Sequence, residues 1–173
     1  NLYEQTKYEA EKLAKMKIPN CSTVILRPIN VVSKEEPGAF LFPIRNSFKD
    51  RFVVFLKGSE NSHSVHAQQI ADCAIYFMNQ VFEKPEIFFV GNEKDLSNTY
   101  RGVWNVYCEQ SGKIKQKMFI SLPIWIPYLI RKLKGTNANS GNILYSSDKL
   151  ESYGFTDNWD IDRICKMLIN KDV

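Results

Sequence analysis

The sequence predicts an α/β fold, on two observations. Short apolar runs rich in β-branched residues alternate with longer stretches whose apolar residues recur at helical spacing. Most of the boundaries between them carry Pro, Gly or Asn.

Residues 3–16 read as a helix, with Ala10, Leu13 and Ala14 at apolar spacing, and Pro19-Asn20 ends it. Ser22-Thr-Val-Ile-Leu-Arg27 reads as a buried strand stopped by Pro28. Residues 31–39 are expected as a loop, with Pro37-Gly38 as its turn. A short helix is expected from Phe40 to Phe48, then a strand from Arg51 to Lys57 closed by Gly58. Val65 to Phe82 is the best helical segment. Ile70, Ala74, Phe77 and Met78 mark its inner face, widened by Ala71, Ile75 and Val81. Pro85 breaks it, and Glu86–Val90 is a strand turned by Gly91-Asn92. Ser97 is expected to cap a helix through Gln110, with Gly112 as its stop. Residues 113–121 read as extended, 123–134 as helix and 135–142 as a Gly/Asn/Ser-rich loop. Ser146 or Ser147 should cap a short helix to Tyr153, ended by Gly154. Asn158 or Asp160 should begin the last helix, to about Ile169. Three or four strands are too few for a complete doubly wound sheet, so a part of a larger architecture is expected.

At 173 residues, 44% hydrophobic and 13% aromatic, the chain can bury a sizeable core. The net charge of +4 is spread along the chain, densest at Lys113, Lys115, Lys117 and at Arg131, Lys132, Lys134. Basic and aromatic residues do not interleave as a base-stacking platform requires, so a nucleic-acid partner is not expected. Cys21, Cys73, Cys108 and Cys165 form no CxxC and stand at no metal-ligand spacing, so no metal is expected. Reduced thiols in a cytoplasmic setting are the expectation. Phe119–Ile130 is apolar but too short to span a bilayer, so no membrane partner is expected either.

Tyr3 and Lys7 lie four residues apart on one helical face, where an ammonium favours the phenolate. That suits acid–base work. The spacing alone selects nothing, because Tyr8–Lys12, Tyr128–Lys132 and Tyr145–Lys149 share it. Only the first pair stands in a Tyr-x-x-Thr-Lys-x-x-x-Glu context (Tyr3, Thr6, Lys7, Glu11), followed by Val24-Ile-Leu-Arg-Pro-Ile-Asn-Val31.

With Leu56-Lys57-Gly58, Ser64-Val65-His66, Ile87–Asn92 and Ser146–Phe155, this order resembles the extended short-chain dehydrogenase/reductase family, in its NAD-dependent epimerase/dehydratase branch. The resemblance implies the C-terminal part of a Rossmann-like NAD(P)-binding fold plus a small substrate-binding subdomain. Residues 1–173 would be the catalytic-helix and substrate-binding portion, with the N-terminal dinucleotide-binding part absent and the fragment alone inactive. It implies Tyr3 as acid/base, Lys7 on the nicotinamide ribose and tuning Tyr3, Pro28 near the nicotinamide, and Asn30 on the substrate. The cofactor would be NAD or NADP. The substrate would be a small molecule bearing a hydroxyl or keto group, a nucleotide sugar among the possibilities.

Glu11 and Arg27 read as a brace between helix and strand. The sequence departs from the family at several points. It has no Gly-rich dinucleotide loop. Gln69 stands where an Asp is expected, and Ser62 where several nucleotide-sugar members have a phosphate-binding Arg. His63 reads either as a replacement for that Arg or as a lone surface residue, and His66 as a packed residue at a helix start. A non-catalytic NAD(P)-sensing or scaffold relative is therefore the alternative function. An exposed sheet edge would also favour a homodimer.

Overall fold

The computed structural model describes residues 2–16, 19–35, 52–55, 59–112, 118–121, 125–135, 143–156 and 158–169. The chain is mixed α/β with small parallel sheets. The expected helix Phe40–Phe48, the Pro37-Gly38 turn, the stop at Gly58, residues 113–117 and the loop 136–142 lie outside the described residues.

Helix α1 (Leu2–Ala14) forms as predicted but buries no side chain. Strand β1 (Val24–Pro28) pairs in parallel with β5 (Glu86–Val90). It is half-buried rather than buried. Pro28 ends the strand as expected, closing the ladder opposite Val90. After Ile29 the chain resumes as β2 (Asn30–Val32), parallel to β4 (Ser64–His66), which corrects the loop expected from residue 31. Three-residue strands such as these are made by a distant partner, and no local period announces them. A third parallel pair joins β3 (Phe52–Phe55) to β6 (Met118–Ser121).

Successive strand residues face opposite ways. Val24, Leu26, Phe88 and Val90 pack with Cys73 and Phe77 of α2 (Ala67–Met78), and with Leu150 and Phe155. Arg27 reaches the other way, to Glu11 of α1. The stripe that helix α2 turns inward only overlaps the expected one: Phe77 is buried and Ile70 packs against the core as expected, but Ala74 and Met78 are exposed. Gln69, Cys73 and Phe77 are buried, while Ile75, Met78 and Val81 are exposed. A count of apolar residues misses part of this stripe, because Gln69 is polar and is buried on hydrogen bonds to Asn92.

The second core joins α3 (Tyr100–Gln110) to the last helix, α6 (Ile161–Ile169). It contains Val103, Trp104, Tyr107, Ile161, Ile164 and Leu168, with Val32 reaching in from β2. Thr99, not Ser97, caps α3, accepting from Gly102 N at 3.0 Å. Ser97 N instead donates to Asp95 Oδ1 at 2.7 Å. A side chain at Gly102 would run into the Ser97 carbonyl, so the turn and the cap hold each other. Asp160 caps α6 through Arg163 N at 2.7 Å. Helices α4 (Trp125–Leu133) and α5 (Asp148–Ser152) lie where expected, and the Ser146 hydroxyl accepts from Asp148 N at the start of α5. All four cysteines are free thiols, with only Cys21 exposed. Among the described residues, no helix is long and apolar enough to cross a membrane.

Candidate functional site

The first turns of α1 present Tyr3 and Lys7 on one face. Tyr3 is 67% exposed, and Lys7 Nζ lies 5.4 Å from its ring centroid. The Thr6 hydroxyl donates to the Tyr3 carbonyl at 2.8 Å, which uses it inside the helix. Two other pairs of this spacing allow comparison. Lys12 sits 4.4 Å over Tyr8, closer than the first pair, so proximity does not mark out Tyr3 and Lys7. Tyr145 and Lys149 separate: Tyr145 meets the rings of His63 and Phe89, while Lys149 pairs with Glu86.

The brace expected between Glu11 and Arg27 is present. Arg27 Nε and Nη2 donate to the two Glu11 oxygens at 2.8 and 2.5 Å. Hydrogen bonds from Arg27 and then Lys15 hold the Glu11 carboxyl down, at a pKa of about 2. The brace joins α1 to the strand that leads through Pro28 into Asn30. Beyond it, aromatic contacts continue across the sheet: Arg27 lies 5.4 Å over Phe89, Phe89 5.4 Å from Tyr145, and Tyr145 5.3 Å from His63.

Asn30 stands at the start of β2, next to this line of contacts. Its N–H donates to the His63 carbonyl at 2.9 Å, and Nδ2 donates to the Ser62 carbonyl at 3.3 Å. A buried polar web fixes the segment that receives it. The Ser62 hydroxyl donates to Asn98 Oδ1 at 2.5 Å, and Ser64 N donates to the same oxygen at 3.0 Å. Asn98 Nδ2 donates to the Asn92 carbonyl at 3.0 Å. The Asn92 and Gln69 side-chain amides exchange hydrogen bonds at 2.7 and 3.0 Å. Ser62 is 1% exposed, so this position holds the fold together and offers nothing to a phosphate.

His63 is no lone surface residue. Its Nδ1 lies 2.7 Å from Glu93 Oε1, and Asn61 Nδ2 donates to the other Glu93 oxygen at 2.8 Å. The backbone of His63 is left-handed, with φ at 56°, a conformation a non-glycine residue adopts where its surroundings impose it. His66 is the packed residue expected. It caps α2 by accepting from Gln68 N at 3.1 Å, and it stacks on Trp159 at 5.0 Å. Burial pushes its pKa below the ordinary imidazole value.

Glu93 and Asn98 escaped the sequence reading, as did the contacts of Tyr145 with His63 and Phe89. The turn signal at Gly91-Asn92 predicts a turn but not the partner of either Glu93 or Asn98. Nothing local marks Tyr145. A cavity of about 230 Å³ opens beyond β5, lined by Gln69, Asn92, Lys94, Glu151, Phe155 and Trp159. None of Tyr3, Lys7, Pro28 or Asn30 lines it. No cluster of His, Cys, Asp or Glu among the described residues could hold a metal. No protein-family model and no curated protein matches this chain.

Proposed function

We propose that this chain carries the catalytic helix and substrate-binding portion of an NAD(P)-dependent epimerase, dehydratase or reductase acting on a hydroxyl or keto group. One observation carries the reading. The two-pronged Glu11–Arg27 brace ties the helix bearing Tyr3 and Lys7 to the strand that leads through Pro28 to Asn30. Motif pieces distant in sequence are thereby joined through one ion pair. The reading requires α1 to run back along β1. Tyr3 would then lie about 12 Å from Glu11, eight residues at helical rise, on the side of the strand's carboxyl end where Asn30 stands.

The exposed phenol and ammonium on one face of α1 suit a ribose hydroxyl and a reacting hydroxyl. The sequence holds no Gly-rich cradle, so the reading assigns the dinucleotide's phosphates to another part of the parent protein. A bound nicotinamide supplies the hydride acceptor or donor. Tyr3 Oη takes the hydroxyl proton or returns it, and Lys7 stabilises the phenolate by its charge. Asn30 orients the substrate. Ser62 lies inside the polar web, so any nucleotide-sugar phosphate must be held from elsewhere.

In the protein that joins this chain to a dinucleotide cradle, Tyr3→Phe should abolish turnover and leave NAD(P) binding intact. Full retained turnover would end the reading. It would favour the second one, an NAD(P)-sensing or scaffold relative, which is supported by the use of Ser62 and Gln69 in structural bonds.

A further inference from the structure

Residues 110–147 hold six basic side chains, Lys113, Lys115, Lys117, Arg131, Lys132 and Lys134, and no aspartate or glutamate. This exceeds the excess of +4 over the whole chain, so the remaining residues are net acidic. Helix α4 lies inside this stretch. Trp125, Leu129 and Leu133 recur every four residues and share one face of it. They are 60%, 48% and 78% exposed, and Ile130 beside them is 45% exposed. Lys132 and Lys134 are exposed as well. The exposed apolar residues of α1 and α2 have acidic neighbours. On α1, Leu2, Tyr3 and Leu13 alternate with Glu4, Lys7, Glu9 and Lys12. On α2, Ile75 and Met78 follow Asp72.

We propose that α4 lies flat on an anionic lipid surface, its Trp and Leu side chains at headgroup depth and its basic flanks over the phosphates. A nine-residue helix cannot span a bilayer, but length does not prevent it from lying on one. Charge selects the occupant. A second copy would bring its own Lys132 and Lys134 against these. Nucleic acid would leave four large apolar side chains in water. An anionic bilayer satisfies both features, and indole prefers such an interface. The inference is independent of the proposed function.

The test mixes the chain with vesicles of phosphatidylcholine alone, or with one third phosphatidylglycerol, at low and high salt. Of the three tryptophans, Trp104 and Trp159 are 0% and 7% exposed, so Trp125 is the reporter. Co-sedimentation with the anionic vesicles is expected, with a blue shift and quenching by brominated lipid, all weakened by salt. Lys132→Gln with Lys134→Gln should weaken binding roughly tenfold or more, the size expected for two basic residues at such a surface. Leu129→Ser with Leu133→Ser should abolish the quenching. These side chains are exposed, so an unchanged circular dichroism spectrum serves as the folding control. Four results would overturn the proposal. One is no binding to anionic vesicles at low salt. Another is equal binding by the Leu129/Leu133 variant. The third is equal binding to soluble polyglutamate, which would mark an acidic protein partner. The fourth is burial of Trp125 with rising protein concentration in the absence of lipid, which would mark a second copy.

Discussion

Replacing Asn98 with alanine should destabilise the chain by about 2–5 kcal/mol. The side chain is 1% exposed and makes three hydrogen bonds of 3.0 Å or less, to Ser62 Oγ, Ser64 N and the Asn92 carbonyl. Without it, Ser64 N–H and the Asn92 carbonyl each lose a buried partner. An orphaned buried polar group costs about 1–3 kcal/mol. Ser62 Oγ retains Ser64 Oγ at 3.0 Å, so it adds little. Total stability for a domain is about 5–15 kcal/mol. With a urea slope of about 1–3 kcal/mol per molar, the midpoint should fall by roughly 1–3 M. Urea unfolding followed by circular dichroism measures this. Asn105→Ala, at an exposed position on α3, should stay within about 0.5 kcal/mol of the parent and serves as the control. The Asn30 amide, which bonds the His63 carbonyl, should also lose hydrogen-exchange protection in Asn98→Ala, because the web sets the position of residues 62–64. An Asn98→Ala variant as stable as the control would refute the claim that this web holds Asn30 and His63 in place.

Further predictions concern acid, thiols and the brace. The Glu11 carboxyl falls from an ordinary 4.5 to about 2 in the fold, so its contribution is complete above pH 4.5 and is lost as the pH falls toward 2. Arg27 is partly exposed, so that contribution is at most about 1 kcal/mol. Glu11→Gln should remove the slope, measured by urea midpoints across that range. The lowered His66 pKa acts in the window just below 6.5, where the unfolded chain binds the proton more readily, so stability should fall as pH drops through it. His66→Asn, which keeps a capping side chain, should flatten that part of the curve. Iodoacetamide on the native chain should label Cys21 first, because Cys165 is buried and its thiol is pushed up to about 12. Rapid labelling at Cys165 would contradict the packing of α3 on α6.

The fold was legible where one face decides. β1, β5, α3, α4 and α6 follow their sequence patterns to within a few residues. It was not legible where a distant partner decides. Val31-Val32 is strand only because Ser64–His66 lies beside it, and the same pairing takes Val65 and His66 out of the helix the periodicity assigned them. The inner stripe of α2 was legible only at Ile70 and Phe77, because its buried Gln69 is polar and finds Asn92 across the turn. Around the site, sequence order alone showed the Glu11–Arg27 brace and the packed role of His66. It could not show the Glu93 partner of His63, because thirty residues separate the two and neither neighbourhood carries a pattern.

The proposed acid–base role of Tyr3, tuned by Lys7, is tested most directly by hydride-transfer turnover in the protein that joins this chain to a dinucleotide cradle, comparing Tyr3→Phe with Tyr8→Phe. The account predicts a loss of roughly a hundredfold or more for Tyr3→Phe, the usual contribution of a positioned acid or base. It predicts unchanged NAD(P)H affinity in both variants and near-parental turnover for Tyr8→Phe. Equal turnover in the two variants would contradict it.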